Sequence, residues 1–192
     1  MTRFWWVRHG PTHAKAMVGW SDLPADLSDT AAINRLSAHL PQTAPVIASD
    51  LIRASATADA IQGPRPRLPN DRALREMHFG DWEMKDFTQI EKENPERILA
   101  FWEEPGDVRA PGGEGWNDVI ARVNPIVNQL AQRHSGGDVI IVAHFGVILS
   151  QLALALQKAP VDVLAQRIDN LSVTQIDIGP AARSAGQINF CP

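Results

Sequence analysis

Two short apolar runs, Phe4-Trp5-Trp6-Val7 and Val139-Ile140-Ile141-Val142-Ala143, each stop abruptly beside a histidine: His9 after Arg8, and His144 directly after Ala143. Neither run alternates apolar with polar residues. Each therefore suits a strand covered on both faces, the way parallel strands are buried under crossover helices. Between them, Ser28-Asp29-Thr30 can cap a helix to about Leu40, with Ile33, Leu36 and Leu40 on one face and Pro41 as its stop. Val46-Ile47-Ala48-Ser49 reads as a strand, and Arg53 to Ile61 as a helix ended by Gly63-Pro64. Strand, loop and helix thus recur. This predicts the α/β class: a three-layer α/β/α sandwich around a mostly parallel mixed sheet, with ligands bound beyond the strand C-termini.

The rest of the chain fits that alternation. Phe87, Ile90, Ile98, Phe101 and Trp102 are spaced for two helical pieces broken near Asn94-Pro95. Asn117 to His134 reads as a helix with Val119, Val123, Ile126, Val127 and Leu130 facing inward and a bend at Pro125. Val147 to Leu156 reads as a helix, and Leu171–Ile178 and Gln187–Phe190 as closing strands. No repeat, linker or low-complexity tract interrupts residues 1–192, so one domain is expected.

Composition removes several classes of function. Eighteen basic against 22 acidic residues give a net charge of −4, without the basic excess of a nucleic-acid binder. The apolar runs fall far short of the roughly 20 residues of a membrane span. The opening Met-Thr-Arg-Phe-Trp-Trp-Val-Arg-His is charged too early for a secretory signal, so a cytoplasmic location is expected. Cys191 is the only cysteine, which leaves no intrachain disulfide and no cysteine metal cluster.

The chemistry is carried by the residues at the strand ends. His9 and His144 should share one rim, with Arg8 beside the first and Arg53 at the start of the next helix, where free amides also favour anions. Arginine forks bind phosphate oxygens, and a neutral imidazole nitrogen can attack phosphorus. A carboxylic acid must protonate the leaving oxygen; Glu76 is the first candidate and Asp81 and Glu83 are its rivals. The flanking arginines would repel a divalent cation and no His-x-His or His-Glu-x-x-His spacing occurs, so neither a metal nor another cofactor is expected.

Four ordered segments resemble the histidine phosphatase superfamily, also called phosphoglycerate mutase-like. They are Arg8-His9-Gly10-Pro11-Thr12, Ser49-Asp50-Leu51-Ile52-Arg53-Ala54 with Thr57-Ala58, Leu74 through Glu83, and Val142-Ala143-His144-Phe145-Gly146. The resemblance implies that His9 becomes phosphorylated, that Arg8, Arg53 and His144 hold the phosphate, and that Glu76 is acid and base. Two departures stand out: Lys15 where many members have asparagine, and Phe145 where a small or polar residue is common. The chain lacks the long basic insertion of the mutases, and the acidic residues of 84–135 suggest an acidic substrate cover, so hydrolysis of a small phosphomonoester is expected. Glu76–Met84 with Gly113-Glu114-Gly115-Trp116 is most similar to the α-ribazole-5′-phosphate phosphatases of cobalamin biosynthesis. The alternatives are a broad-specificity sugar-phosphate phosphatase, a mutase-type enzyme, or a regulator that binds phosphate without turnover. Substrate contacts are expected from Thr12, Lys15, Gly19, Trp20, Trp82, Trp116 and Phe145, the aromatic residues (with Phe87) offering flat apolar surface. The oligomeric state is open, a homodimer being one allowed form.

Overall fold

The computed structural model describes all 192 residues. Five strands and seven α-helices follow in the order β1 (Thr2–Arg8), α1 (Thr30–His39), β2 (Val46–Ala48), α2 (Ile52–Ile61), α3 (Phe87–Glu93), α4 (Pro95–Glu103), α5 (Trp116–Arg133), β3 (Asp138–Ala143), α6 (Phe145–Leu156), α7 (Pro160–Val163), β4 (Val173–Ile178) and β5 (Arg183–Ala185). The sheet order is β2-β3-β1-β4-β5. β3 lies parallel to both β1 and β2, whereas β4 runs antiparallel to β1 and to β5.

The two-residue side-chain period divides the core. Phe4 and Trp6 of β1 and Val139, Ile141 and Ala143 of β3 face α5 and α6, together with Val123, Val127 and Leu152. Val7, Ile140 and Val142 point the other way, against Leu36 and Leu40 of the α1 segment and Ala54, Ala58 and Ile61 of α2. Helices on both faces of a mixed sheet make the expected three-layer α/β/α sandwich.

Two local expectations change. Gln187–Phe190 is not a strand; Phe190 makes only an isolated bridge to Val173, and the edge strand is Arg183–Ala185. That segment has no β-branched residue and is extended because the turn closed by Gly179 N–H to Ala182 C=O feeds it straight back along β4. β4 begins at Val173 instead of Leu171, whose φ of 61° breaks the strand. α5 spans Trp116–Arg133 as expected, with Pro125 inside it. The break before α4 falls where expected, with Pro95 in its first turn.

Arg65 ties α1 to α2. It is 1% exposed, and its guanidinium donates to the carbonyls of Ser37, Leu40 and Pro41 at the end of α1 and of Ile61 and Gln62 at the end of α2. These are helix-terminal carbonyls, which lack intrahelical donors and carry the negative end of each dipole, so a cation suits them without a carboxylate. Arg65→Met should lower stability by about 3 kcal/mol because buried acceptors lose their donor. For a chain of this size that is a fall of about 6–12 °C in Tm, read by thermal unfolding; an unchanged Tm would remove this role for Arg65.

Candidate active site

The β1–β3 ladder places Arg8 opposite Ala143, so the next residues, His9 and His144, emerge side by side at the C-terminal rim. Their rings stand edge to face with centroids 5.0 Å apart. β2 ends on the same rim, and α2 presents Arg53 from its first turn. All three side chains are buried.

Hydrogen bonds assign the tautomers. His9 Nδ1 sits 2.6 Å from the Gly10 carbonyl, which can only accept, so the proton is on Nδ1 and Nε2 keeps its lone pair. Arg53 Nε donates to His144 Nδ1 at 3.2 Å, so the proton of a neutral His144 is on Nε2. That Nε2–H is buried without a partner, as is Arg8 Nε–H. Buried donors are almost always satisfied, and two orphans at one rim describe a site for an anion. Arg8 is otherwise held by the Ile168 carbonyl at 2.6 Å, and Arg53 by the carbonyls of Gly19 and Ser21 at 2.6 and 2.9 Å.

The electrostatics keep both imidazoles neutral. Burial, reinforced by the nearby Arg53 and Arg8, pushes His9 down to about 3 against the opposing Gly10 hydrogen bond. Burial, then His9 and the guanidiniums, hold His144 well below the ordinary histidine range. Burial also lowers Arg8 and Arg53, opposed by the charge of Glu76.

Glu76 lies at the N-terminus of α6, accepting from Gly146 N–H at 3.0 Å and from its neighbour Met77 N–H at 2.9 Å. A Cβ on residue 146 would come within 2.6 Å of Glu76 Oε1, so only glycine lets the carboxylate approach. Its backbone is anchored from two sides: Trp20 Nε1 and Arg122 both donate to the Glu76 carbonyl, at 2.8 and 2.9 Å. Arg122 also donates to the carbonyls of Ala73 and Arg75 and pairs with Glu114. The His9 loop is anchored in turn by Asn170 on the His9 carbonyl and by Thr57 on Gly10 N–H.

Some expected contacts lie elsewhere. Trp82 is fully buried against Phe101, so it is core and not a substrate contact. Gly19 is engaged through its own backbone, its N–H on Glu83 and its carbonyl on Arg53. Trp20 lies under the guanidiniums of Arg72 and Arg75, each 5.0 Å from the ring, and beside His78, and is half-buried. Glu83 accepts from the amides of Gly19, Trp20, Ser21 and Phe79 and from the Ser21 hydroxyl. Burial opposes its ionisation, but those donors win and hold it below the usual carboxylate range, and they tie it to the Gly19–Ser21 loop. Asp81 is exposed.

Thr12 and Lys15 follow His9 on an irregular loop without side-chain hydrogen bonds, and Lys15 is exposed. Phe145 packs under Arg8 at 5.4 Å. Trp116 and Phe145 wall an apolar cavity that reaches Glu76. The acidic cover is corrected as well: Glu91, Glu93, Glu96, Glu103 and Glu104 point to solvent, and α4 turns Phe101 and Trp102 toward the cavity. Arg122 and Asn170 were not anticipated. Arg122 had a signal, an arginine on the apolar stripe of α5 between Val119 and Val123; Asn170 had none.

No group of three or more His, Cys, Asp or Glu is placed to hold a metal ion, and no helix is long and apolar enough to cross a membrane. The sequence matches the histidine phosphatase superfamily (branch 1) over residues 4–190. It is 30% identical to the adenosylcobalamin/alpha-ribazole phosphatase of Salmonella typhimurium, covering 92% of this chain and 90% of that one. It is 36% identical to the glucosyl-3-phosphoglycerate phosphatase of Mycolicibacterium vanbaalenii, over 81% of this chain and 74% of that one. The solved structure of Bacillus stearothermophilus YhfR superposes with a TM-score of 0.87 at 28% identity, covering 98% and 97% of the two chains. With two strand-end histidines, two buried arginines and a carboxylate gathered at one rim, and a family match over nearly the whole chain, this protein belongs to the histidine phosphatase superfamily.

Proposed function

We propose that the chain is a metal-independent phosphomonoesterase working through a phosphohistidine, and that α-ribazole 5′-phosphate is its first candidate substrate. The observation that carries the mechanism is the pairing of a free His9 Nε2 lone pair with the partnerless donors of His144 and Arg8. A phosphoryl group fills that gap: its oxygens accept from His144 Nε2–H, Arg8 and Arg53, while phosphorus faces His9 Nε2.

His9 Nε2 forms the N–P bond as the bond from phosphorus to the ester oxygen breaks. Glu76 gives its proton to that oxygen and the alcohol leaves. A water then attacks the phosphohistidine, Glu76 takes the proton, the N–P bond breaks and inorganic phosphate is released. Gly10 C=O holds the proton on His9 Nδ1 throughout.

The α-ribazole reading is supported by the Salmonella relative, similar along almost the whole chain. The mycobacterial relative, more identical over a shorter stretch, supports a second reading in which the substrate is glucosyl-3-phosphoglycerate. The specificity constants of both compounds, of 3-phosphoglycerate and of several sugar and nucleoside monophosphates, measured with chelator, separate these readings. A preference of about 100-fold for α-ribazole phosphate, on the order of 3 kcal/mol, supports the first. His9→Ala should abolish all of them, and activity lost to chelator and restored by Zn²⁺ would overturn the mechanism.

Glu76→Gln should slow phosphoryl transfer to poor leaving groups by about 10²–10⁴ in single-turnover assays. Glu83→Gln should instead lower Tm with a smaller loss of rate; the reverse pattern would move the acid to Glu83. The nucleophile must be neutral, and with His9 at about 3 it stays neutral down to mild acid. The acid limb that His9 imposes on kcat/KM should therefore fall near pH 3, not about 6.5; a histidine limb at about 6.5, absent from a substrate-independent control, would contradict the tautomer and burial argument.

A further inference from the structure

The segment Ile168-Asp169-Asn170 carries the groups that hold two residues of the rim. The Ile168 carbonyl accepts from the Arg8 guanidinium at 2.6 Å, the one hydrogen bond the Arg8 side chain makes, and Asn170 Nδ2 donates to the His9 carbonyl at 2.8 Å. The segment belongs to no helix or strand. Leu171 N–H ties its far end to the Arg8 carbonyl, which leaves its centre to be fixed by other means.

Asn189 grips that centre. Asp169 N–H donates to Asn189 Oδ1 at 2.6 Å, and Asn189 Nδ2 donates to Asp169 Oδ2 at 3.0 Å, so one amide side chain engages both the backbone and the carboxylate of one residue. A backbone N–H outside regular structure needs such a partner. Asn189 is held in turn. Its φ of 54° lies in the left-handed region that asparagine tolerates, and its N–H donates to the hydroxyl of the buried Thr174 at 3.2 Å. Its neighbour Phe190 exchanges backbone hydrogen bonds of 2.8 and 2.9 Å with Val173, and Val173 is paired with Val7, the residue before Arg8. The register of β1 therefore reaches the rim by a second route, through β4 and Asn189.

We propose that Asn189 is a positioning residue: it fixes Asp169, and through the flanking Ile168 carbonyl and Asn170 amide it sets the phosphate-binding Arg8 and the nucleophile His9 together. The proposal rests on the phosphatase reading of the rim. Arg8 is the sensitive partner, because displacing one carbonyl frees its guanidinium. Arg53 has three hydrogen bonds of its own, to His144, Gly19 and Ser21, and does not depend on this segment.

The test follows hydrolysis of 4-nitrophenyl phosphate and its inhibition by inorganic phosphate, at a temperature well below the Tm of each variant. Asn189→Gly keeps the left-handed backbone and removes both side-chain bonds. It should lower kcat/KM by about tenfold or more and raise the inhibition constant of phosphate, as a misplaced arginine and nucleophile require. Partial unfolding lowers kcat but leaves that constant alone, so a merely structural role does not move it. Asn189→Asp, which sets two carboxylates against each other, should act in the same direction. The exchange of Asp169→Asn with Asn189→Asp again faces a donor with an acceptor and keeps one negative charge, so it should restore both constants to within about threefold. An unchanged phosphate inhibition constant in Asn189→Gly, or an exchange no better than a folded Asn189→Asp, would overturn the role; if Asn189→Asp does not fold, Asn189→Gly alone decides. Absent hydrolysis by the unsubstituted protein, or hydrolysis unaffected by His9→Ala, would instead remove the phosphatase reading and this proposal with it.

Discussion

The site is built on the parallel ladder between β1 and β3. Because Arg8 is paired with Ala143, the residues that follow leave the sheet together, and His9 and His144 come within ring contact without any loop having to search for its place. A slip of β1 by one residue would turn Phe4 and Trp6 toward α1 and α2 and Val7 toward α5 and α6. The ladder is thus held in register by the whole core. Ligand geometry at the rim inherits the rigidity of the best-buried part of the molecule.

Around that pair the protein keeps polar groups in an unusual condition. Two imidazoles are held neutral by burial among guanidiniums, and two of the donors aimed at the rim have no partner in the protein. Such an arrangement disfavours the empty fold and favours the filled one, since an anion both satisfies the donors and offsets the buried positive charge. The cost is absorbed by neighbours that are fully satisfied. Glu83 gathers the amides of the Gly19–Ser21 loop, that loop's carbonyls receive Arg53, and Arg53 fixes the tautomer of His144. Arg122 does the same for the segment carrying Glu76, through the carbonyls of Ala73, Arg75 and Glu76 and through Glu114.

Much of this could be read along the chain. Strands that are buried on both faces announce themselves as unbroken apolar runs, and a residue directly after such a run has its place set by the strand. His9, Arg8 and His144 were therefore legible, and so was Arg53 one turn into the next helix. Glu76 was only one of three neighbouring carboxylates, since adjacency cannot say which acid meets Gly146 and which binds the Gly19–Ser21 loop. Trp82 and Trp116 are alike in sequence, each following a glycine-containing turn by one or two residues. One became core under Phe101 and the other a cavity wall. The acidic helices misled for a related reason, because net charge describes the face that solvent sees and not the face turned inward.

The amino-acid sequence by itself determined the alternation of strand and helix, the rim at which chemistry-bearing residues collect, and the family signature they form, because each depends on near neighbours and a two- or four-residue period. Only the tertiary structure decided which donors remain unpaired, which carboxylate faces the rim, and that the cover over it is apolar. Those properties belong to contacts between residues tens of positions apart, such as Glu76 with Gly146 and Arg53 with His144, and hydrogen-bond satisfaction is settled only when every potential partner has its place.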